Sequence, residues 1–119
     1  MPPKFRSCEC QRIYPDGHED WFRSQKLPGA FYWSEETWGG NTWRVLWIHL
    51  PYDPPERSHA WSSLRVYREG EPVPPAPAWQ WDGNEDQPTL NPSISTMRIP
   101  GKVAWHGYLK AGKLEACAS

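Results

Sequence analysis

The clearest hydrophobic pattern along the chain is TWRVLWIHL at residues 42–50. Its β-branched and aromatic residues suit a pleated strand, and Pro51 marks the end. Trp43, Val45 and Trp47 fall on one side; Leu46, Ile48 and Leu50 fall on the other. Apolar groups on both sides predict a central strand. The pattern predicts further strands at 4–14, 30–33, 61–68 and 79–81, an extended run over 88–96, and a hairpin over 102–117. Between them lie turn signals: Pro15-Asp16-Gly17, Pro28-Gly29, Glu69-Gly70, Asp82-Gly83-Asn84 and Ala111-Gly112. Residues 19–24 are expected to pair back as a hairpin strand. Ser34-Glu35-Glu36-Thr37 is expected to open one helical turn, with Ser34 as its cap and the acids near the positive end, and Gly39-Gly40 closing it. A Pro- and charge-rich loop is expected over 51–60.

The resulting fold class is mainly β: a small antiparallel sheet or barrel with at most one or two short helices. Composition sharpens this. Fourteen Pro among 119 residues exclude long helices, since each lacks an N–H and clashes with the preceding turn. Nine Trp, five Tyr and three Phe supply a core that the few aliphatic residues cannot. Trp43 or Leu46, with Ile48, Trp81, Leu90, Ile94 and Leu109, are the expected core. The length fits one domain, 1–119. Within it, residues 1–71 form an N-terminal β part. Pro72–Ala78 is a stiff polyproline connector. Residues 79–117 form a turn and hairpin unit.

Charge excludes some partners. The net charge is −1, with 13 basic and 14 acidic residues mixed through both halves. A non-specific nucleic-acid binder needs a basic face, and none is evident. No apolar run approaches a membrane span, and MPPKFRSCEC lacks the apolar stretch of a signal peptide. With three Cys, an odd number, the expected compartment is a reducing cytoplasm.

Candidate chemistry is sparse. Nucleophile-elbow, zinc-protease, P-loop and dinucleotide motifs are missing from the sequence, so no catalytic residue is assigned. His18 and His59 lie in polar, turn-rich segments, and His49 is expected to be a partly buried core-edge residue. Asp82, Glu85 and Asp86 sit in a turn, where such residues usually satisfy the backbone. A metal site is the sharper possibility. A two-residue turn at Ala111-Gly112 pairs Lys110 with Lys113, Leu109 with Leu114, Tyr108 with Glu115 and His106 with Cys117. Directly opposed residues have Cβ atoms about 4.5–5.5 Å apart, close enough to share a Zn²⁺. Cys8 and Cys10 share a strand face and could complete a structural Cys₃His zinc site. The surplus of Trp suggests exposed anchors for a partner, and Trp79, Trp81, Asp82, Asn84 and Tyr108 are the candidate binding residues.

The C-terminal third carries a resemblance. Trp81-Asp82-Gly83-Asn84, Pro88-Thr89-Leu90, Pro92-Ser93-Ile94 and Trp105-His106-Gly107-Tyr108-Leu109, with Gly112 and Cys117, resemble a family of small uncharacterised phage and prophage proteins. Some of its members carry the label ammonia monooxygenase. Many relatives have Cys directly before the His, where this chain has Trp105. The resemblance covers about residues 79–117. It implies a phage accessory protein of the bacterial host cytoplasm that binds and inhibits or redirects a host or defence protein. A small metal-dependent hydrolase and a Trp-based nucleotide- or carbohydrate-binding module are the alternatives.

Overall fold

The computed structural model describes residues 6–25, 27–51, 61–99 and 102–117. The loop expected at 51–60, with His59, lies outside these apart from Pro51, as do residues 4 and 5 of the first expected strand. Ten strands and one short helix are described: β1 (Cys8–Glu9), β2 (Gln11–Arg12), α1 (Glu19–Ser24), β3 (Ala30–Trp38), β4 (Asn41–His49), β5 (Trp61–Tyr67), β6 (Trp79–Trp81), β7 (Leu90–Asn91), β8 (Ile94–Ile99), β9 (Lys102–Lys110) and β10 (Lys113–Ala116). They form a four-stranded sheet, ordered β1-β10-β9-β8, and a six-stranded sheet, ordered β2-β3-β4-β5-β6-β7. Most pairings are antiparallel; β2–β3 and β5–β6 are parallel. The chain is thus mainly β, as its pattern predicts.

β4 is central, paired with β3 and β5, and both its faces are used. Leu46, Ile48 and Leu50 enter the main core with Phe31, Leu64, Val66, Trp79, Trp81, Leu90, Ile94, Trp105, Leu109 and Leu114. That core draws on strands of both sheets, so the sheets are held together by apolar burial, worth about 25 cal/mol per Å². A smaller core of Phe22, Ala30 and Tyr32, packed by Ile13, Leu27 and Trp47, lies under α1.

Two local expectations are corrected. Residues 19–24 form α1 instead of a strand. Acids Glu19 and Asp20 stand in its first turn and Arg23 in its last, matching the helix dipole, and Phe22 anchors it at 0% exposure. Ser34–Thr37 is strand, not helical turn. It pairs with residues 42–45 in continuous register, Ser34 Oγ accepts the Trp47 indole N–H at 2.7 Å, and Glu36 meets Arg65 at 2.6 Å. Capping chemistry at Ser34 yields to the cross-strand ladder.

The first expected strand divides between the sheets. Cys8 and Glu9 pair with β10, Cys10 N–H donates to Gly112 C=O at 2.8 Å, and Gln11 and Arg12 pair with β3. The crossing requires a close approach at Gly29, whose φ is +86° and where a Cβ would overlap the Glu9 carbonyl.

Candidate functional site

The turn and hairpin unit is built from the motif residues outward. Asp82 Oδ1 accepts the N–H groups of Asn84 (3.1 Å) and Thr89 (3.2 Å), and Asn84 Oδ1 accepts those of Asp86 and Gln87. Thr89 Oγ1 accepts the Ala111 N–H at 2.8 Å, while Gly112 N–H donates to Pro88 C=O at 3.1 Å. The turn of the β9–β10 hairpin is therefore latched to the Pro88-Thr89 segment. Asp82 and Asn84 are exposed but committed to the backbone of this turn.

Trp79 and Trp81 are buried, at 9% and 8% exposure. Trp81 Nε1–H donates to Asn84 C=O at 3.0 Å, closing the same turn. Trp79 Nε1–H donates to Ser93 C=O at 3.2 Å. This corrects the expectation of indoles offered to a ligand: their apolar mass fills the core and their N–H groups hold backbone. Of the five candidate binding residues, Tyr108 reaches the surface as a side chain free of the turn, at 38% exposure, with the Lys110 ammonium 5.0 Å from its ring centre.

The hairpin register is the expected one. Lys110, Leu109 and Tyr108 face Lys113, Leu114 and Glu115, and Cys117 N–H donates to His106 C=O at 2.9 Å. Trp105, Gly107 and Leu109 are buried, whereas Tyr108 and Lys110 are exposed and His106 is half-buried. His106 and Cys117 therefore stand on the outer face of the four-stranded sheet. A side chain at Gly107 would collide with the Trp105 ring and the Glu115 carbonyl. That close packing, with the Trp105 Nε1–H donated to Arg6 C=O at 2.9 Å, fixes the backbone on both sides of His106.

Cys8 lies opposite Leu114 and Cys10 bonds to Gly112, and both thiols pack against the main core. They are on the inner face, so the sheet separates them from His106 and Cys117. Of the four residues expected to share a zinc, the structure brings two together, with Cys117 Sγ 4.0 Å from His106 Nε2. Among the described residues no group of three or more His, Cys, Asp or Glu side chains is gathered at one point, so the four-ligand arrangement is not assembled. Burial and then the neighbouring Cys8 thiol push the Cys10 thiol up to about 12, and burial raises Cys8 as well. Both are packing thiols.

The residue that the sequence reading passed over is Ser93. β8 pairs with β9 through Ile94–Gly107 and Ser95–His106, which sets Ser93 diagonally across from His106 on the outer face. The Ser93 Oγ and His106 Nε2 are 3.1 Å apart. Ile94, at 0% exposure, anchors the chain immediately after Ser93, and Trp79 holds the Ser93 carbonyl. A hydroxyl at hydrogen-bond distance from an imidazole nitrogen is the core of an activated serine nucleophile. The signal was present in Pro92-Ser93-Ile94 followed by His106-Gly107-Tyr108, but only the β8–β9 register joins them.

His49 contrasts with His106. It is fully buried, beyond the partial burial expected of it. Its Nε2 lies 2.9 Å from Phe22 C=O and its Nδ1 accepts the Leu27 N–H at 3.4 Å, so both nitrogens serve backbone groups. Burial lowers its pKa, only partly offset by the Phe22 carbonyl. The acids Glu85 and Asp86 are likewise committed. Arg12 and Arg44 both reach Glu85 at 3.1 Å, and Arg12 reaches Asp86 at 3.1 Å. Among the described residues no helix is long and apolar enough to cross a membrane.

Comparison with curated proteins and with solved structures found no match. A family profile does match, over residues 19–117, most of the chain and the whole of the Ser93–His106 unit. The chain belongs to the family described as the bacterial ubiquitination-like system serine protease, BubE.

Proposed function

We propose that the protein is a serine hydrolase that cleaves peptide bonds in a bacterial ubiquitination-like system, with Ser93 as nucleophile and His106 as general base. The observation that carries this reading is the 3.1 Å contact between Ser93 Oγ and His106 Nε2, on a surface-facing sheet. The family description supports the reaction class.

The steps follow from the geometry. Ser93 Oγ attacks the scissile carbonyl carbon while its proton passes to His106 Nε2. The resulting imidazolium returns that proton to the leaving amine as the C–N bond breaks, leaving an acyl group on Ser93. Water then attacks the ester, its proton passing to Nε2, and Ser93 is restored with release of the carboxylate product. The chain's contribution is positioning. Trp79 and Ile94 hold the nucleophile's backbone, and the Trp105–Gly107 packing and the Cys117 N–H hold that of His106. The exposure of Tyr108, one residue beyond Gly107, supports a substrate contact by its ring beside Ser93.

The test is labelling with a fluorophosphonate probe, followed by peptide mapping. Wild-type protein should be modified at Ser93, and His106→Gln should lose most of that labelling. Equal labelling of Ser93→Ala would remove Ser93 from the mechanism.

A partner-binding role is a second reading, favoured by the exposed indoles of Trp21 (56%) and Trp38 (53%). Such aromatic anchors suit docking onto another protein component of the same system. A phage origin remains a proposal resting on the sequence resemblance alone.

A further inference from the structure

We infer that His106 and Cys117 form a two-residue site for a thiophilic divalent cation, Zn²⁺ or Cd²⁺, and that occupancy switches off the Ser93–His106 pair. The switching half rests on the proposed serine chemistry; the binding half does not. Cys117 Sγ is 4.0 Å from His106 Nε2, the same nitrogen that faces Ser93 Oγ at 3.1 Å. Both side chains stand on the outer face of the four-stranded sheet and are held in register by the Cys117 N–H to His106 C=O bond. Zn–S and Zn–N bonds of about 2.3 and 2.0–2.1 Å at a tetrahedral angle place the two donors roughly 3.5 Å apart. Closing from 4.0 Å takes a small side-chain rotation, with no movement of the strands.

Thiolate and imidazole together select soft or borderline cations over Mg²⁺ or Ca²⁺. On binding, the metal displaces the Cys117 thiol proton to solvent and accepts the Nε2 lone pair. Water fills the remaining coordination positions. Nε2 then has no lone pair with which to take the Ser93 proton. Cys8 and Cys10 contribute nothing, because the sheet stands between them and His106. The zinc site suggested by the sequence is thereby redrawn. Two of its ligands stay, and its role changes from stapling the fold to inhibiting the reaction.

The experiment titrates the protein with Cd²⁺ and follows the ultraviolet thiolate-to-cadmium charge-transfer band. In parallel, Zn²⁺ inhibition of fluorophosphonate labelling is measured, with circular dichroism confirming that each variant retains its β signature. The band should appear in wild-type protein and in the Cys8→Ser/Cys10→Ser double variant. It should be lost in both Cys117→Ser and His106→Gln. Relative to its own metal-free labelling, Cys117→Ser should need at least roughly tenfold more Zn²⁺ for half-inhibition. A band that survives in Cys117→Ser or His106→Gln overturns the site. Unchanged zinc sensitivity in Cys117→Ser overturns the switch. A band with the expected dependence in a protein that shows no labelling leaves the metal site standing and removes the serine chemistry instead.

Discussion

Two of the four histidines, His49 and His106, lie in differently built regions. His49 lies under α1, against Phe22 with ring centres 4.3 Å apart, and both its nitrogens are taken by main-chain groups. His106 lies on an open sheet face, its main chain clamped by Trp105 and Cys117 and its Nε2 turned to a side-chain hydroxyl and a thiol. The difference shows how a fold divides chemistry from structure. An imidazole whose nitrogens satisfy buried backbone has no proton to exchange without loosening the core. One held by its own backbone, with a nitrogen left to a hydroxyl, can pass protons while the strands stay still.

The comparison breaks most readily at the hydroxyl. Ser93→Ala and His106→Gln should each lower hydrolysis by about a thousandfold or more, with thermal stability nearly unchanged. Steady-state kinetics and melting curves on the same samples check this; a variant that keeps a tenth or more of its activity would falsify the assignment. His49→Ala should do the reverse. It leaves the Phe22 carbonyl and Leu27 N–H without their partner and opens a cavity, costing about 2–4 kcal/mol in denaturant unfolding. Activity of the fraction still folded should be retained.

A third test sharpens the contrast through pH. The folded His49 pKa lies below the ordinary 6.5, so the unfolded chain binds the extra proton first. The His49 contribution is complete above about pH 6.5 and is lost as pH falls below it, toward the lowered folded value. Unfolding free energy measured between about pH 7 and pH 5 should decline in the wild type and decline less in His49→Gln. Parallel curves for the two proteins would show that His49 is not the group responsible. The smallest effect is expected at Trp79→Phe, which keeps an aromatic side chain but removes the indole donor to Ser93 C=O. It should cost about 1 kcal/mol of stability and slow hydrolysis more than it changes KM.

The register of β9–β10 was legible because a two-residue turn fixes every partner beyond it, down to His106 and Cys117. The central position of β4 was legible from apolar groups on both its faces. Ser93 was not, because a serine between Pro92 and Ile94 looks like any loop serine until a non-local pairing sets it beside an imidazole. Trp79 and Trp81 misled for a related reason. Indole count alone does not separate a core residue that spends its N–H on backbone from a surface anchor. Ser34–Thr37 carried a helix-start signal that β4 and Arg65 overrode. Cys8 and Cys10 were rightly placed on one shared face, but which face needed their pairing with Leu114 and Gly112.

The short segment from Cys8 to Arg12 belongs to both sheets at once, joining residues 113–114 on one side and residues 30–31 on the other. It also precedes the stretch matched by the family profile. In kinetic terms, the β3–β4 and β9–β10 hairpins close across turns of two residues and can form early, while this segment must find a partner about a hundred residues away. Its pairing with β10 is therefore expected to form late, as a clasp. Its backbone amides should exchange with solvent at a rate that reports how often the two sheets part company, making five residues outside the reactive face a gauge of the whole molecule's cooperativity.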